Sequence, residues 1–126
     1  MKVLLDTSVL IEGLDDPIDA ELAISAISLA ELHFGVLVAK TPEVRAARLR
    51  RLAAIERAFE ALPVTDAVAR TYGSLAATVW AAGRQPRARA FDLVIAATAA
   101  THDAVLYTRN PKDFVGLDDF VKVVGL

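Results

Sequence analysis

Cysteine is absent from all 126 residues, which excludes a disulfide framework, a thiolate nucleophile and any Cys-based zinc or iron–sulfur site. Histidine is nearly absent: His33 and His102 are too few for a histidine-rich metal centre. No apolar run approaches the ~20 residues needed to span a bilayer. Met1-Lys2 is followed by only Val3-Leu4-Leu5 before Asp6, too little for the apolar core of a secretory signal. Repeats and low-complexity linkers are lacking as well. What is present is 55% hydrophobic and 24% charged residues, well away from the disordered class. A chain of this length buries roughly two-thirds of its unfolded surface and needs no staple to fold. The reading is a soluble, cytoplasmic, non-membrane protein with a single domain over residues 1–126.

The formal net charge of −2 hides an asymmetry. Residues 1–35 sum to −6 and residues 40–57 to +4, the latter through Lys40, Arg45, Arg48, Arg50, Arg51 and Arg57. Such a division allows different partners at each end, although solvated helix faces account for most charges taken singly.

Lys2–Leu5 reads as a buried first strand, followed by a short helix from Thr7 to Gly13. Leu22–Ile27 reads as a second strand, and Ser28-Leu29-Ala30-Glu31 opens a helix to about Ala39. Thr41-Pro42 caps a third helix reaching about Ala61, with Pro at its first position. Leu62–Val64 is the expected third strand. Thr65-Asp66 starts a helix through Ala82 closed by Gly83, and Arg84–Arg89 forms a basic loop. A helix over Ala90–Thr101, a strand over Ala104–Thr108 and a terminal strand over Phe120–Val124 complete the chain. Alternating strands and helices predict an α/β domain whose parallel sheet is covered on both faces. Ligands then sit beyond the carboxyl ends of the strands.

Four acids fall at that edge. Asp6 ends the first strand, Glu31 lies in the first turn of the helix after the second, Asp92 opens the helix before the fourth, and Asp113 follows the fourth. Ionised carboxylates share a small space only when a cation offsets their repulsion. All-oxygen ligation suits Mg²⁺ or Mn²⁺, which can activate water and hold a phosphodiester. Each acid also has a purely structural reading. Asp6 can cap the next helix. Glu31 can complete a capping box with Ser28. Asp92 can answer the helix dipole, and Asp113 can be a loop residue.

Arg84, Arg87 and Arg89 enter the helix that carries Asp92, where a scissile phosphate needs cations. Arg48 pairs in helical spacing with Arg45 or Arg51, but the four arginines of 45–51 cannot share one face. His33 stands roughly 200° round the helix from Glu31, so the two cannot face one ion. His102 reads as a helix-end residue and Trp80 as core or interface.

The stretches LLDTSVLIE (Leu4–Glu12), ISLAELHFGV (Ile27–Val36), FDLVIAATA (Phe91–Ala99) and LYTRNPKDF (Leu106–Phe114) resemble, in order and spacing, those of PIN domains. The resemblance is closer still to the VapC ribonuclease toxins of prokaryotic toxin–antitoxin modules. It covers nearly the whole chain. It implies a three-layer α/β/α sandwich around a central, mostly parallel sheet of about five strands, and a divalent-metal-dependent endoribonuclease. By motif position Asp6, Glu31 and Asp92 are the core acids and metal ligands. Thr7 and Ser8 support them. Asn110 and Asp113 both stand where the fourth ligand belongs, and Asp113 is favoured. The resemblance also implies an RNA substrate, a homodimer, and a cognate VapB-type antitoxin whose tail fills the groove. One departure is His102-Asp103-Ala104, where such proteins often carry Gly; Asp tolerates the left-handed conformation.

Two other acid-edged α/β enzymes fit less well. A signalling receiver domain needs an Asp ending the third strand, and Asp66 is a helix-start acid instead. A haloacid-dehalogenase-type phosphatase needs a second Asp two residues after Asp6, where Ser8 stands. The remaining alternative is a catalytically silent PIN-like scaffold that binds RNA or protein.

Overall fold

A computed structural model describes all residues, Met1–Leu126. Five strands form one parallel sheet: β1 (Lys2–Leu5), β2 (Glu21–Ser25), β3 (Glu60–Leu62), β4 (Val105–Thr108) and β5 (Val123–Gly125), in the order β3-β2-β1-β4-β5. The helices are α1 (Thr7–Glu12), α2 (Ala26–Leu37), α3 (Pro42–Ala58), α4 (Asp66–Ala81) and α5 (Ala90–Thr101). Short 3₁₀ turns cover Pro86–Arg89, within the expected basic loop, and Pro111–Phe114.

Alternation along β1 sets the layers. Leu4 joins Leu106, Val68, Leu75, Leu93 and Ile95 in the larger core on one face. Val3 and Leu5 join Ile24, Val9, Leu32, Leu52 and Ile55 in the core on the other. Successive side chains of a strand point to opposite faces, so both faces must be apolar and both must be covered. The expected three-layer α/β/α architecture and its parallel sheet are therefore what the chain forms.

Several boundaries move. The second strand stops at Ser25 rather than Ile27, because the Ser25 hydroxyl accepts from the Ile27 amide and caps α2 there. The third helix ends at Ala58, and β3 takes Glu60–Leu62 instead of Leu62–Val64. The last strand is Val123–Gly125, shorter and later than expected. The Thr41 cap with Pro42 behind it, and the Thr65 cap of α4, form as predicted. Trp80 is 70% exposed, which rules out the core.

Order in the sheet reverses direction at β1. The chain builds outward through β2 and β3, then returns to add β4 and β5 on the other side. Such a reversal leaves a crevice between the strand ends, here between the carboxyl ends of β1 and β4.

Two helices close with the same Schellman geometry. After α4, Gly83 donates to Trp80 O and Arg84 to Val79 O, with Gly83 at φ 83°. After α5, Asp103 donates to Ala100 O and Ala104 to Ala99 O, but Asp103 takes the left-handed position at φ 54°. Asp103→Gly should raise the unfolding free energy by about 0.5–1 kcal/mol, and Asp103→Val should lower it by more than about 1 kcal/mol. Urea denaturation checks this; equal stability of the two variants would contradict the strain.

Candidate active site

Asp6 is the first residue past β1, and its backbone N–H donates to Tyr107 O, which ties the ends of β1 and β4 together. Its carbonyl accepts from Val9 and Leu10 at the start of α1. Its carboxylate makes no capping bond, so the capping explanation of Asp6 fails. Instead Oδ2 accepts from the Ser8 hydroxyl at 2.7 Å and the Thr108 hydroxyl at 2.8 Å. Asp6 is only 5% exposed, and both protein hydrogen bonds converge on one oxygen. Oδ1 is left for a ligand.

The two hydroxyls are themselves fixed. Ser8 Oγ accepts from the Arg109 amide at 3.0 Å, and Thr108 Oγ1 accepts from the Asn110 amide at 3.0 Å. Each hydroxyl has one proton to give, and each gives it to Asp6. The Asn110 backbone is thereby used, while its side chain stays exposed.

Glu31 is held by a parallel relay. Thr7 Oγ1 donates to Glu31 Oε1 at 2.8 Å, and the Ser28 hydroxyl lies 2.7 Å from Thr7 Oγ1. With the Thr7 proton spent on Glu31, Ser28 is the donor to Thr7. Ser28 is fully buried inside α2. Glu31 consequently sits in the second turn, not the first, and the expected Ser28–Glu31 capping box does not form. Burial pushes the Glu31 carboxyl above its ordinary value; the Thr7 hydrogen bond opposes this and the Asp6 charge reinforces it.

Asp92 stands in the first turn of α5 and Asp113 in the turn after β4. One guanidinium spans them: Arg89 Nη1 is 2.7 Å from Asp113 Oδ1 and 3.6 Å from Asp92 Oδ2. The Asp92 carboxyl is pushed up to about 6, by burial first and then by the charges of Asp6, Asp113 and Glu31, with Arg89 opposing. The charges of Asp6, Asp113 and Glu31 therefore all reach Asp92. Glu31 and Asp92 share the wall of an open cleft of ≈ 370 Å³ with Arg87, Arg89 and Phe91.

This donor set is all carboxylate, and it carries more negative charge than its half-buried position tolerates. That is the chemistry a hard divalent cation answers. As they stand, no three of the chain's acidic or histidine side chains converge closely enough to grip an ion. In this arrangement Asp113 is held by Arg89 at 2.7 Å.

The remaining selected residues divide. Arg84 Nη2 donates to Val115 O at 2.8 Å, and a Cβ on Gly116 would lie 2.9 Å from that nitrogen. Its guanidinium holds the 115–117 loop. His33 is exposed, as expected. Sequence reasoning missed Thr108, Ser28 and Arg109. Arg109 donates to Gly13 O at 2.6 Å and pairs with Glu12 and Asp15, stapling the loop after α1 to the end of β4.

The Asp92 shift has a sign that can be tested. A carboxyl raised to about 6 binds its proton more tightly in the folded than in the unfolded state. The stability it contributes is present at low pH and lost as pH rises through about 6. In EDTA at pH near 7.5, Asp92→Asn should therefore stabilise the protein by about 1–2 kcal/mol, and the gain should shrink towards pH 5. Thermal melts at the two pH values check this; a destabilised variant at pH near 7.5 would contradict it.

With that geometry in view, the PIN domain family matches residues 3–118. Ribonuclease VapC5 of Mycobacterium tuberculosis is 39% identical over 125 residues, covering 94% of this chain and 90% of the relative. Ribonuclease VapC4 of the same organism is 34% identical, covering 99% and 97%. Among solved structures, VapBC-5 of M. tuberculosis, a member of the VapBC family of toxin–antitoxin systems, superposes with a TM-score of 0.87 at 37% identity. That match covers 99% of this chain and 98% of the other. FitAcB of Neisseria gonorrhoeae gives a TM-score of 0.81 at 29% identity, covering 98% and 96%. The chain belongs to the PIN domain family, among the VapC ribonucleases.

Proposed function

We propose that this protein is the ribonuclease toxin of a toxin–antitoxin pair, hydrolysing RNA phosphodiester bonds with divalent-metal assistance. The observation that carries the chemistry is the grouping of acids at one cleft: Glu31 and Asp92 share its wall, and Arg89 ties Asp92 to Asp113. Asp6, Glu31, Asp92 and Asp113 would hold the cation, Mg²⁺ or Mn²⁺ by their all-oxygen character. When bound, it supplies Lewis acidity, making water a competent nucleophile at neutral pH and offsetting charge on the phosphate.

The chain's own residues do the rest. Ser8 and Thr108 fix Asp6 in one orientation through Oδ2, which leaves Oδ1 without a protein hydrogen bond. Thr7 does the same for Glu31. Water attacks phosphorus, its oxygen forms the new bond, and the opposite P–O bond breaks, with the departing oxygen taking up a proton. An acid of the cluster that the cation leaves free accepts the proton of the attacking water, and burial raises the proton affinity of both Glu31 and Asp92. Arg89 is placed to exchange Asp113 for the scissile phosphate, and Arg87 lines the same cleft. Arg84 joins them only indirectly, by holding the adjacent loop.

The named relatives, two ribonucleases and a member of the VapBC family of toxin–antitoxin systems, support RNA as substrate and a VapB-type antitoxin as partner; a homodimer acting in the cytoplasm completes the proposal. No helix is long and apolar enough to cross a membrane.

A panel of structured RNAs incubated with Mn²⁺, with EDTA and with Asp92→Asn in parallel tests the reading. Metal-dependent cutting lost in the variant is the expected result, and Asp6→Asn should likewise reduce cutting to background. Ser8→Ala, which frees the Asp6 carboxylate, should lower metal affinity or activity by about 10–100-fold. Undiminished cutting by Asp6→Asn would refute the site.

A further inference from the structure

Glu31 borders two clefts. Beyond the one it shares with Asp92 lies a second, of ≈ 280 Å³, lined by Ile11, Glu31, Leu32, Gly35, Arg48 and Arg51. It is lined from α1, α2 and α3, and Glu31 is the one residue it shares with the cleft of Arg87 and Arg89. Its rim is cationic, because Arg48 and Arg51 stand three residues apart on α3 and project together. Its floor is apolar: Leu32 is buried and Ile11 is 51% exposed. Gly35 keeps the floor open, since it has no side chain and nothing lies within 4 Å of where a Cβ would be. Arg48 is pre-set by donating from Nη1 to Gly35 O at 2.7 Å, which leaves its other N–H donors free. No partner in the structure occupies the guanidinium of Arg51.

Resting on the ribonuclease reading above, we infer that this second cleft is a subsite for the nucleotide flanking the scissile phosphate, with Arg48 and Arg51 on its phosphate and Ile11 against its base. An endonuclease substrate must run through the centre and leave on the far side. Glu31 borders both arginine-lined clefts, so a polyanionic strand passing it meets Arg87 and Arg89 in one and Arg48 and Arg51 in the other. An apolar floor beside a bidentate donor pair matches a nucleotide, which presents a flat base and a phosphate together. The +4 balance of residues 40–57, set against −6 in residues 1–35, thereby has a specific use.

The test compares wild-type protein with Arg51→Ala, Arg51→Glu and, as a control away from either cleft, Arg57→Ala. Arg51 is chosen because Arg48 also supports the end of α2. Binding of a fluorescent mixed-sequence 12-nucleotide single-stranded RNA is read in EDTA, so the result does not depend on cleavage. Arg51→Ala should weaken binding about three- to tenfold and lower the salt slope by about 0.7, as expected for one lost phosphate contact on a single strand. Arg51→Glu should weaken it further, and Arg57→Ala should match wild type. In Mn²⁺ the Arg51 variants should raise KM while leaving kcat within about twofold. RNAs truncated on one side of the mapped cut should lose the dependence on Arg51.

Wild-type binding and KM in Arg51→Glu would overturn the subsite while leaving the nuclease intact. An Arg51→Glu protein that loses an acidic peptide but keeps RNA would overturn it in favour of a protein-binding cleft. Failure of wild-type protein to cut any RNA would strike the catalytic reading alone, since the EDTA binding series still decides the subsite.

Discussion

Negative charge gathered at the carboxyl edge of the sheet, only partly offset by Arg89, is the constraint around which the rest of the molecule is arranged. Asp6 is almost fully buried at the point where strand order reverses, and the Asp92 carboxyl is raised to about 6 by its own burial first and then by the charge of Asp6. Gathering acids in such a place opposes folding. The fold tolerates it because two apolar cores clamp the sheet from both sides and hydroxyl groups share the load. Ser8 and Thr108 serve Asp6, and Thr7 backed by Ser28 serves Glu31. Neutral hydroxyls orient carboxylates without cancelling their charge, which an arginine in the same position would do.

Cations are kept at the margins instead. Arg89 spans Asp92 and Asp113 from a side chain that is 46% exposed, so it screens the cluster and can withdraw into solvent. Arg109 and Arg84 are spent on loops, fixing the segments after α1 and after Pro111–Phe114. Arg48 and Arg51 lie across Glu31 on a different helix. Acids beside arginine-lined clefts are what the proposed function requires of a surface that takes a nucleic-acid strand.

The layout of the sheet was legible because its signals are local. The Lys2–Leu5 run ending at Asp6, the Thr41-Pro42 start, and Gly83 after an Ala-rich helix each act within a few residues. The third strand was misplaced since Glu60–Leu62 is defined by pairing with Ala23–Ser25, a contact far away in sequence. Asp6 and Asp92 could be picked from strand ends and helix starts. Ser28 was misread as a cap because nothing local distinguishes a capping serine from one buried one turn later against Thr7. Thr108 carried a signal that went unused: a hydroxyl at the end of the strand beside β1 stands next to whatever ends β1. The roles of Arg84 and Arg109 depend on which loop each meets, and those meetings are tertiary.

On the proposed function the acid cluster takes a divalent cation, and below about pH 6 the cation must displace a proton from Asp92. Isothermal titration calorimetry with Mn²⁺, repeated in buffers of different ionisation enthalpy, counts the protons released on binding. The account predicts release approaching one proton below pH 6, set by the Asp92 value of about 6, and falling towards zero by about pH 8. Saturable binding with no proton release at any pH, or no saturable binding at all, would contradict it.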